Sequence, residues 1–196
     1  MNNEFETRFV RRVKDALLNR HRTELEVCDF KSAAVLVPIV FRDEEPHLIL
    51  TRRTMTVAQH KGQISFPGGA CEPEDATIEN TALRETKEEI GVSADAVNIL
   101  GRLDDFSTIS GFLVTPVVGI VSGNTRFHTD NDEVAELFET PLAAFQNPDI
   151  HELITVDHDG TMHEYHSFEI GSRIVWGATA GIIHRLLNIL ELRGAS

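Results

Sequence analysis

Three glutamates lie close together near the middle of the 196-residue chain, in the run RETKEE at positions 84–89. If this run is helical, Glu85 lies three residues before Glu88 and four before Glu89, so the three carboxylates share one face. Like charges this close repel each other, and a hard cation such as Mg²⁺, which prefers carboxylate oxygens, would supply the counter-charge. The common alternative for such a run is a solvated acidic surface without an ion.

The flanks of the glutamate run have the turn and capping residues of a loop followed by a helix. Gly68 and Gly69 end a strand-like run, so the chain must turn sharply there. Asp75 or Thr77 can cap the N-terminus of the helix, and Gly91 can close its C-terminus in a left-handed conformation. These residues favour a helix that presents the glutamates beside a glycine loop.

This loop and helix resemble the Nudix box, G-x5-E-x7-R-E-U-x-E-E-x-G-U, in which U is a bulky aliphatic residue. The matching positions are Gly69, Arg84, Glu85, Glu88, Glu89, Gly91 and Val92. The loop is one residue longer than the general pattern, Ala76 stands where the first Glu is usual, and Thr86 occupies the first U position. The coenzyme A pyrophosphatase branch of the family resembles this chain in having a lengthened loop with an acidic residue near Asp75.

The stretch before the box is similar to the same branch, whose members carry L-L-T-x-R-S followed by H-x-G-Q-V-x-F-P-G-G. The matching positions are Thr51, Arg53, His60, Gly62, Gln63, Phe66, Pro67, Gly68 and Gly69. Thr54 replaces the usual Ser, and Ile64 the usual Val. The resemblance is therefore continuous from Leu48 to Val92.

Positive charge is concentrated just ahead of the glutamates, where a phosphorylated ligand would need it. Coenzyme A carries a pyrophosphate and a separate 3′-phosphate, and Arg grips phosphate oxygens in a bidentate fork. Neighbouring strand residues point to opposite faces, so only one of Arg52 and Arg53 can face the site, while the other would pair with a surface acid. The residues expected to bind substrate are Arg52, Arg53, His60, Lys61, Gly62 and Gly69.

The resemblance implies a Nudix-type α/β/α sandwich with a mixed central sheet. It also implies hydrolysis of the pyrophosphate bond of coenzyme A, or of an acyl or oxidised derivative, to 3′,5′-ADP and a 4′-phosphopantetheine. Mg²⁺ or Mn²⁺ would be the cofactor, bound by Glu85, Glu88 and Glu89, with Glu88 also counted among the catalytic residues. Arg84 is expected to pair with a neighbouring carboxylate and to hold the helix geometry.

A general base must come within ~3 Å of the attacking water, directly or through one bridge. Glu133 is the candidate because it ends a polar loop and opens a short strand, and Glu136 on that strand is the alternative. A solvated loop carboxylate is the competing interpretation of Glu133.

Two other functions fit the same residues. The first is a Nudix pyrophosphatase acting on ADP-ribose, nucleotide sugars or dinucleotides, against which the stretch from Thr51 to Gln63 argues. The second is a non-catalytic nucleotide-binding module, against which the complete set of box glutamates argues.

Composition limits the partners and the compartment. The formal net charge of −13 argues against a nucleic-acid surface, since duplex binding needs clustered Lys and Arg. No apolar run approaches the ~20 residues that span a bilayer, and the N-terminus lacks the apolar core of a secretory signal. Cys28 and Cys71 have no paired spacing, which favours a reducing cytoplasm. A small molecule is the expected partner, and the oligomeric state is left open, a homodimer included.

Strands alternate with three helical segments, which predicts one α/β domain over residues 1–196. Residues 1–30 are expected to form a covering helix and lead-in, and residues 177–192 a C-terminal helix. Trp176 is expected mainly to pack in the core. The late histidines show neither H-E-x-x-H spacing nor paired cysteines, so a zinc site is not expected.

Overall fold

The computed structural model describes residues 4–26, 29–55, 61–129, 132–158 and 160–191. These residues form three α-helices: α1 (Glu4–Leu18), α2 (Ile78–Ile90) and α3 (Gly177–Ile189). They also form eleven strands: β1 (Lys31–Arg42), β2 (Glu45–Arg53), β3 (Ile64–Ser65), β4 (Gly68–Ala70), β5 (Val97–Arg102), β6 (Phe106–Ser107), β7 (Phe112–Val121), β8 (Val134–Pro141), β9 (His151–His158), β10 (Thr161–Ile170) and β11 (Arg173–Trp176).

Helix α2 begins and ends where its capping residues predict. The Thr77 hydroxyl accepts a hydrogen bond from the Asn80 backbone N–H at 3.2 Å, which satisfies a donor that the helix leaves unpaired. Gly91 adopts φ 72°, and its N–H donates to the Lys87 carbonyl. Both features confirm the expected boundaries of the glutamate helix.

The central sheet contains eight strands among the described residues, with the order β3-β2-β1-β7-β5 along its main path. Strands β1 and β7 pair in parallel, and the remaining pairs of this sheet are antiparallel. Strand β4 pairs with the first part of β1, whereas β2 pairs with its last part. Pro38, which has no N–H to donate, lies between those two paired segments.

Helices and a second sheet cover the two faces of the central sheet. On one face, Ala82 and Ile90 of α2 are fully buried and pack in clusters with strand residues such as Leu36 and Val40. On the other face, α1 and α3 share a cluster with side chains of β1, β2 and β7. This arrangement confirms the α/β/α sandwich with a mixed sheet.

Helix α1 covers the edge of this core with one face. Val13 and Leu17, one turn apart, are buried in the same cluster as α3, and α1 lies against β5. Among the described residues, no helix is both long enough and apolar enough to cross a membrane.

Strands β9, β10 and β11 form a separate antiparallel sheet in the order β11-β10-β9. The Asp-Gly pair at positions 159–160 is a hairpin signal in the sequence, but it does not predict that the hairpin lies apart from the central sheet. The reason is packing: α3 lies against β10 and β11, and Phe168 of β10 meets Phe145 edge to face at 5.4 Å between ring centroids. The hairpin therefore builds one side of the cavity described next.

Candidate active site

The candidate site is a cavity of about 470 Å³ beside α2. Its charged lining comes from four side chains on three parts of the chain: Arg53 from the end of β2, Glu85 and Glu89 from α2, and Glu133 just before β8. Residues far apart in sequence therefore place three carboxylates and one guanidinium in a single space.

Glu89 is the most deeply buried of these carboxylates, with 4% of its surface exposed. Its Oε1 accepts a hydrogen bond from Arg53 Nη1 at 3.3 Å. Its Oε2 is buried and has no hydrogen-bond partner within the described part of the chain. Burial raises the pKa of Glu89 to about 7, although the Arg53 charge acts in the opposite direction. A buried carboxylate oxygen without a donor is an available ligand atom for a cation.

Glu85 lies directly against Gly69 of the glycine loop. A Cβ atom at position 69 would come within 2.5 Å of Glu85 Oε1, so any side chain there would displace this carboxylate. Burial also raises the pKa of Glu85, and its hydrogen bond from Arg84 opposes that effect. The close approach explains physically why the loop before the helix needs glycine here.

Arg84 ties the glycine loop to the helix through several acids. Its Nε and Nη2 donate to the two oxygens of Asp75 at 3.2 and 3.0 Å, and its Nη1 donates to Glu85 at 2.8 Å and Glu88 at 3.0 Å. Asp75 also accepts from the Thr81 hydroxyl at 2.9 Å. Asp75, in the lengthened loop, therefore positions Arg84, and Arg84 in turn orients Glu85.

We expect Asp75→Asn to reduce turnover about 10-fold, because an amide replaces the charged bidentate partner of Arg84. The Arg84 hydrogen bonds lower the pKa of Asp75 from 3.8 to about 2. The folded pKa lies below the ordinary value, so this carboxylate adds stability above pH 3.8 that is lost as the pH falls toward 2. Thermal unfolding should therefore show a Tm difference between wild type and variant that is constant near neutral pH and shrinks in acid.

The exposed Glu74 on the same loop provides the control for that prediction. Glu74→Gln should keep both the turnover and the acid dependence of the wild-type Tm. Equal losses in the two variants would show that loop charge in general, and not the Asp75–Arg84 pair, is responsible.

The two adjacent arginines of β2 have different environments. Arg53 lies in the cavity between Glu89 and Glu133, with Nη2 3.7 Å from Glu133. Arg52 does not line the cavity; it pairs with Glu136 at 2.8 Å, and Arg173 also donates to that carboxylate. Strand alternation turns Arg52 to the other face, so these contacts do not support its predicted role in substrate binding, which stays a prediction.

The ion pairs with Arg52 and Arg173 also affect whether Glu136, the alternative candidate, can act as the general base. Its hydrogen bond from Arg173 lowers the pKa of Glu136, and it does not line the cavity. A carboxylate held between two arginines is a poor proton acceptor. This placement favours Glu133 over Glu136.

The other predicted substrate-binding residues are distributed as follows. Gly69 lines the cavity, whereas Lys61 and Gly62 form a turn before β3 and do not line it. Gly62 has φ 68°, a conformation that favours glycine, and a Cβ there would lie 3.1 Å from Met55 Sδ. His60 lies outside the described residues.

Glu133 and Glu88 are both more exposed than the buried pair of carboxylates. The Glu133 side chain is 52% exposed and lines the cavity. The Glu88 side chain is 57% exposed, pairs with Arg84 and does not line the cavity. Glu133 is therefore placed to reach a solvent molecule in the cavity, whereas the roles of Glu88 as ligand and catalytic residue stay predictions.

An apolar and aromatic wall that no sequence motif predicts lines the same cavity. Its side chains are Phe106, Ile109, Phe112, Tyr165, Trp176 and Ile182. Tyr165 and Trp176 meet edge to face with ring centroids 6.1 Å apart. Trp176 is only partly buried, so the expectation that it packs mainly in the core is corrected. No sequence signal marks these side chains as a group, because they come from separate strands, a turn and α3 and meet only in the folded chain.

The donor set fits a hard divalent cation. Glu89 offers a buried oxygen without a hydrogen-bond partner among the described residues, and Glu85 is held beside it on the same helix face. Carboxylate oxygens are the ligands that Mg²⁺ and Mn²⁺ prefer. The site combines carboxylates, a guanidinium and an aromatic surface in one cavity.

Comparisons with known proteins agree with this architecture. A family model described as the NUDIX domain matches residues 31–157. The Nudix hydrolase NudL of Yersinia enterocolitica is 44% identical over 160 residues, covering 82% of each chain. NudL of Pectobacterium atrosepticum is 42% identical over 185 residues, covering 94% of this chain and 92% of that protein. A MutT/nudix family protein from Enterococcus faecalis has a similar fold, with a TM-score of 0.56 at 20% identity over 96% of this chain and 68% of that one.

Proposed function

Because this chain belongs to the Nudix hydrolase family and is a pyrophosphohydrolase, we propose that it acts on coenzyme A or on its acyl or oxidised derivatives. Water would cleave the pyrophosphate bond and release 3′,5′-ADP and the corresponding 4′-phosphopantetheine. The reaction would depend on Mg²⁺ or Mn²⁺.

The main support for this proposal is that charged and aromatic side chains line the same cavity. Arg53, Glu85, Glu89 and Glu133 share about 470 Å³ with the wall that contains Tyr165 and Trp176. Coenzyme A has matching parts, since its pyrophosphate separates an adenine nucleotide from a long uncharged arm. Aromatic side chains bury such ligand surface well, and the charged groups orient the phosphates.

The proposed roles follow from the contacts of each side chain. Glu85 and Glu89 would hold the cation, which neutralises the phosphate charge and promotes attack by water. Arg53, beside both Glu89 and Glu133, can donate to a phosphate oxygen at the same place. Glu133 would accept the proton of the attacking water. Arg84 acts as a positioning residue, because its contacts fix Glu85 and the glycine loop.

The sequence stretch from Thr51 to Gln63 supports coenzyme A over other diphosphates, since its match to the coenzyme A branch lies outside the box itself. Arg52 is held by Glu136, so recognition of the 3′-phosphate would come from the segment containing His60 and Lys61. Lys61 is exposed.

We expect dephospho-coenzyme A to be a poorer substrate than coenzyme A, with kcat/KM lower by about 10- to 100-fold. A lost charge-assisted contact to the 3′-phosphate, worth roughly 1.5–3 kcal/mol, is the reason. The assay compares both compounds with ADP-ribose, a nucleotide sugar and a dinucleotide in the presence of Mg²⁺ or Mn²⁺, and identifies the products by mass spectrometry.

Lys61→Met should reduce the difference in kcat/KM between coenzyme A and dephospho-coenzyme A. Lys87→Met, which removes an exposed lysine from α2, should leave that difference unchanged. Equal kcat/KM values for coenzyme A and dephospho-coenzyme A would refute 3′-phosphate recognition. Faster turnover of ADP-ribose or a dinucleotide would refute the proposed substrate.

A further inference from the structure

We propose that His151, His166 and His184 form a binding site for a divalent transition metal ion such as Zn²⁺, distinct from the glutamate site. One nitrogen from each ring lies within 4.8 Å of the corresponding nitrogens of the other two. The three residues come from β9, β10 and α3. This site does not depend on the substrate proposed above.

The register of the hairpin brings the first two histidines together. His151 of β9 is opposite Phe168, and His166 of β10 is opposite Leu153, so the two histidines are diagonal neighbours on one face of the small sheet. Helix α3 packs against β10 and brings His184 over this pair, with its ring stacked 3.8 Å from that of His166. All three side chains are partly buried.

The nitrogen separations suit ligands of one ion. His151 Nε2 and His166 Nδ1 are 2.9 Å apart. Two nitrogens that each lie about 2.0–2.1 Å from a metal are roughly 2.9 Å apart at a right angle and about 3.4 Å apart in a tetrahedron. Imidazole nitrogens coordinate in the plane of the ring, so binding of one ion by all three residues requires the His184 side chain to turn out of its present stack on His166. Without an ion, the same 2.9 Å contact is a hydrogen bond between one protonated and one unprotonated ring nitrogen.

Asn188 can hold His184 in the tautomer that a metal requires. Its side-chain amide nitrogen Nδ2 lies 3.3 Å from His184 Nδ1, one helical turn away, and a half-turn of the amide group exchanges this nitrogen with the oxygen. With the amide oxygen turned toward the ring, Asn188 would accept the Nδ1–H and leave the lone pair of Nε2 available for the ion. Metal-binding histidines commonly donate their second N–H in this way.

The ligand type separates this site from the glutamate site. Neutral imidazole suits Zn²⁺, Co²⁺, Ni²⁺ and Cu²⁺, whereas carboxylates suit Mg²⁺ and Mn²⁺. The ion would join the β9–β10 hairpin to α3. The hairpin carries Tyr165 of the cavity wall, and α3 begins directly after Trp176. Its consequence would be a stiffer aromatic wall. The sequence expectation of no zinc site considered only ligands with short spacings, and these three residues are separated by 15 and 18 positions.

The test is a titration of the chelator-treated full chain with Zn²⁺, and with Co²⁺ as a spectroscopic probe, in excess Mg²⁺ to occupy the glutamate site. The wild type should bind one ion, show visible Co²⁺ absorption and gain thermal stability with Zn²⁺. His184→Gln and His151→Gln should each weaken binding at least ~100-fold, since even losing a partner behind a metal ligand costs 10- to 100-fold. His163→Gln, on β10 but facing the other side of the small sheet, should bind like the wild type.

Nuclear magnetic resonance of the imidazole nitrogens in the wild type tests the site without any variant. Zn²⁺ should shift the signals of three of the nine histidines. The signal that is missing from the spectrum of His163→Gln belongs to His163, so it can be told apart from that of His166 on the same strand. Zn²⁺ binding that is equal in wild type, His184→Gln and His151→Gln would overturn the proposal, as would the absence of Zn²⁺ binding in the wild type.

Discussion

Glu89→Gln is expected to lower turnover at least ~100-fold, the scale expected when a metal ligand is lost and the reacting groups are misplaced. Glu89 contributes the buried oxygen that has no hydrogen-bond partner among the described residues. An amide there is a weaker ligand and carries no charge against the cation. Steady-state kinetics with saturating Mg²⁺ or Mn²⁺ measures the loss.

The same substitution should stabilise the metal-free protein at pH 8. Burial raises the pKa of Glu89 from 4.5 to about 7, so the folded state holds a proton that the unfolded state has lost between these values. The stability of the wild type therefore falls as the pH rises through this window. The charge costs at most about 3 kcal/mol. The pKa of about 7 already includes the attraction of Arg53, so removal of the buried charge should stabilise the variant by about 1–3 kcal/mol, or about 3–9 °C in Tm.

Two further variants complete this experiment. Glu85→Gln should lose activity to a similar degree, because the two carboxylates share one helix face. Glu79→Gln, on the same helix but paired with Arg102 away from the cavity, should keep its turnover. Near-normal activity in both Glu85→Gln and Glu89→Gln would reject the metal site, and a lower Tm for metal-free Glu89→Gln at pH 8 would contradict the burial argument.

Glu133→Gln should lower kcat by ~10²–10⁴ with little change in KM, if Glu133 accepts the proton of the attacking water. Its side chain lines the cavity and faces solvent, and Arg53 lies 3.7 Å away, so the carboxylate is held near the other charged groups. Loss of the base should also remove the acidic limb of the pH–rate profile. Stopped assays across the pH range, at fixed free metal, measure both effects.

Glu136→Gln is the matched control, since Glu136 lies three residues further along the chain, in the strand that follows Glu133. Its carboxylate pairs with Arg52 and Arg173 outside the cavity, so this variant should keep kcat and the shape of the profile. An unchanged profile and near-normal kcat in Glu133→Gln would exclude Glu133 as the base, and a selective loss in Glu136→Gln would move the role there.

The glutamate helix was determined by the sequence itself. Spacing by three and four residues places carboxylates on one face of any α-helix, and the capping chemistry of Thr77 and Gly91 depends on backbone atoms within one turn. The contact of Gly69 with Glu85 belongs to the same local unit. Local rules suffice because these interactions span few residues.

Strand alternation settled only part of the placement of the two arginines of β2. It predicts that Arg52 and Arg53 point to opposite faces, but not which of them meets the glutamates. Only the packed sheet decides this, because α2 covers one face and places Glu89 beside Arg53, while Arg52 meets Glu136 of β8. Register and layer order arise from contacts between strands that are distant in the chain.

The aromatic wall and the three histidines were decided by tertiary structure alone. Tyr165 and Trp176 enter the cavity because a separate three-stranded sheet turns them toward α2, and the histidines meet because α3 folds back over β9 and β10. No local pattern in the chain predicts these side-chain contacts. They depend on how whole elements bury their apolar faces against each other, which is a property of the assembled core.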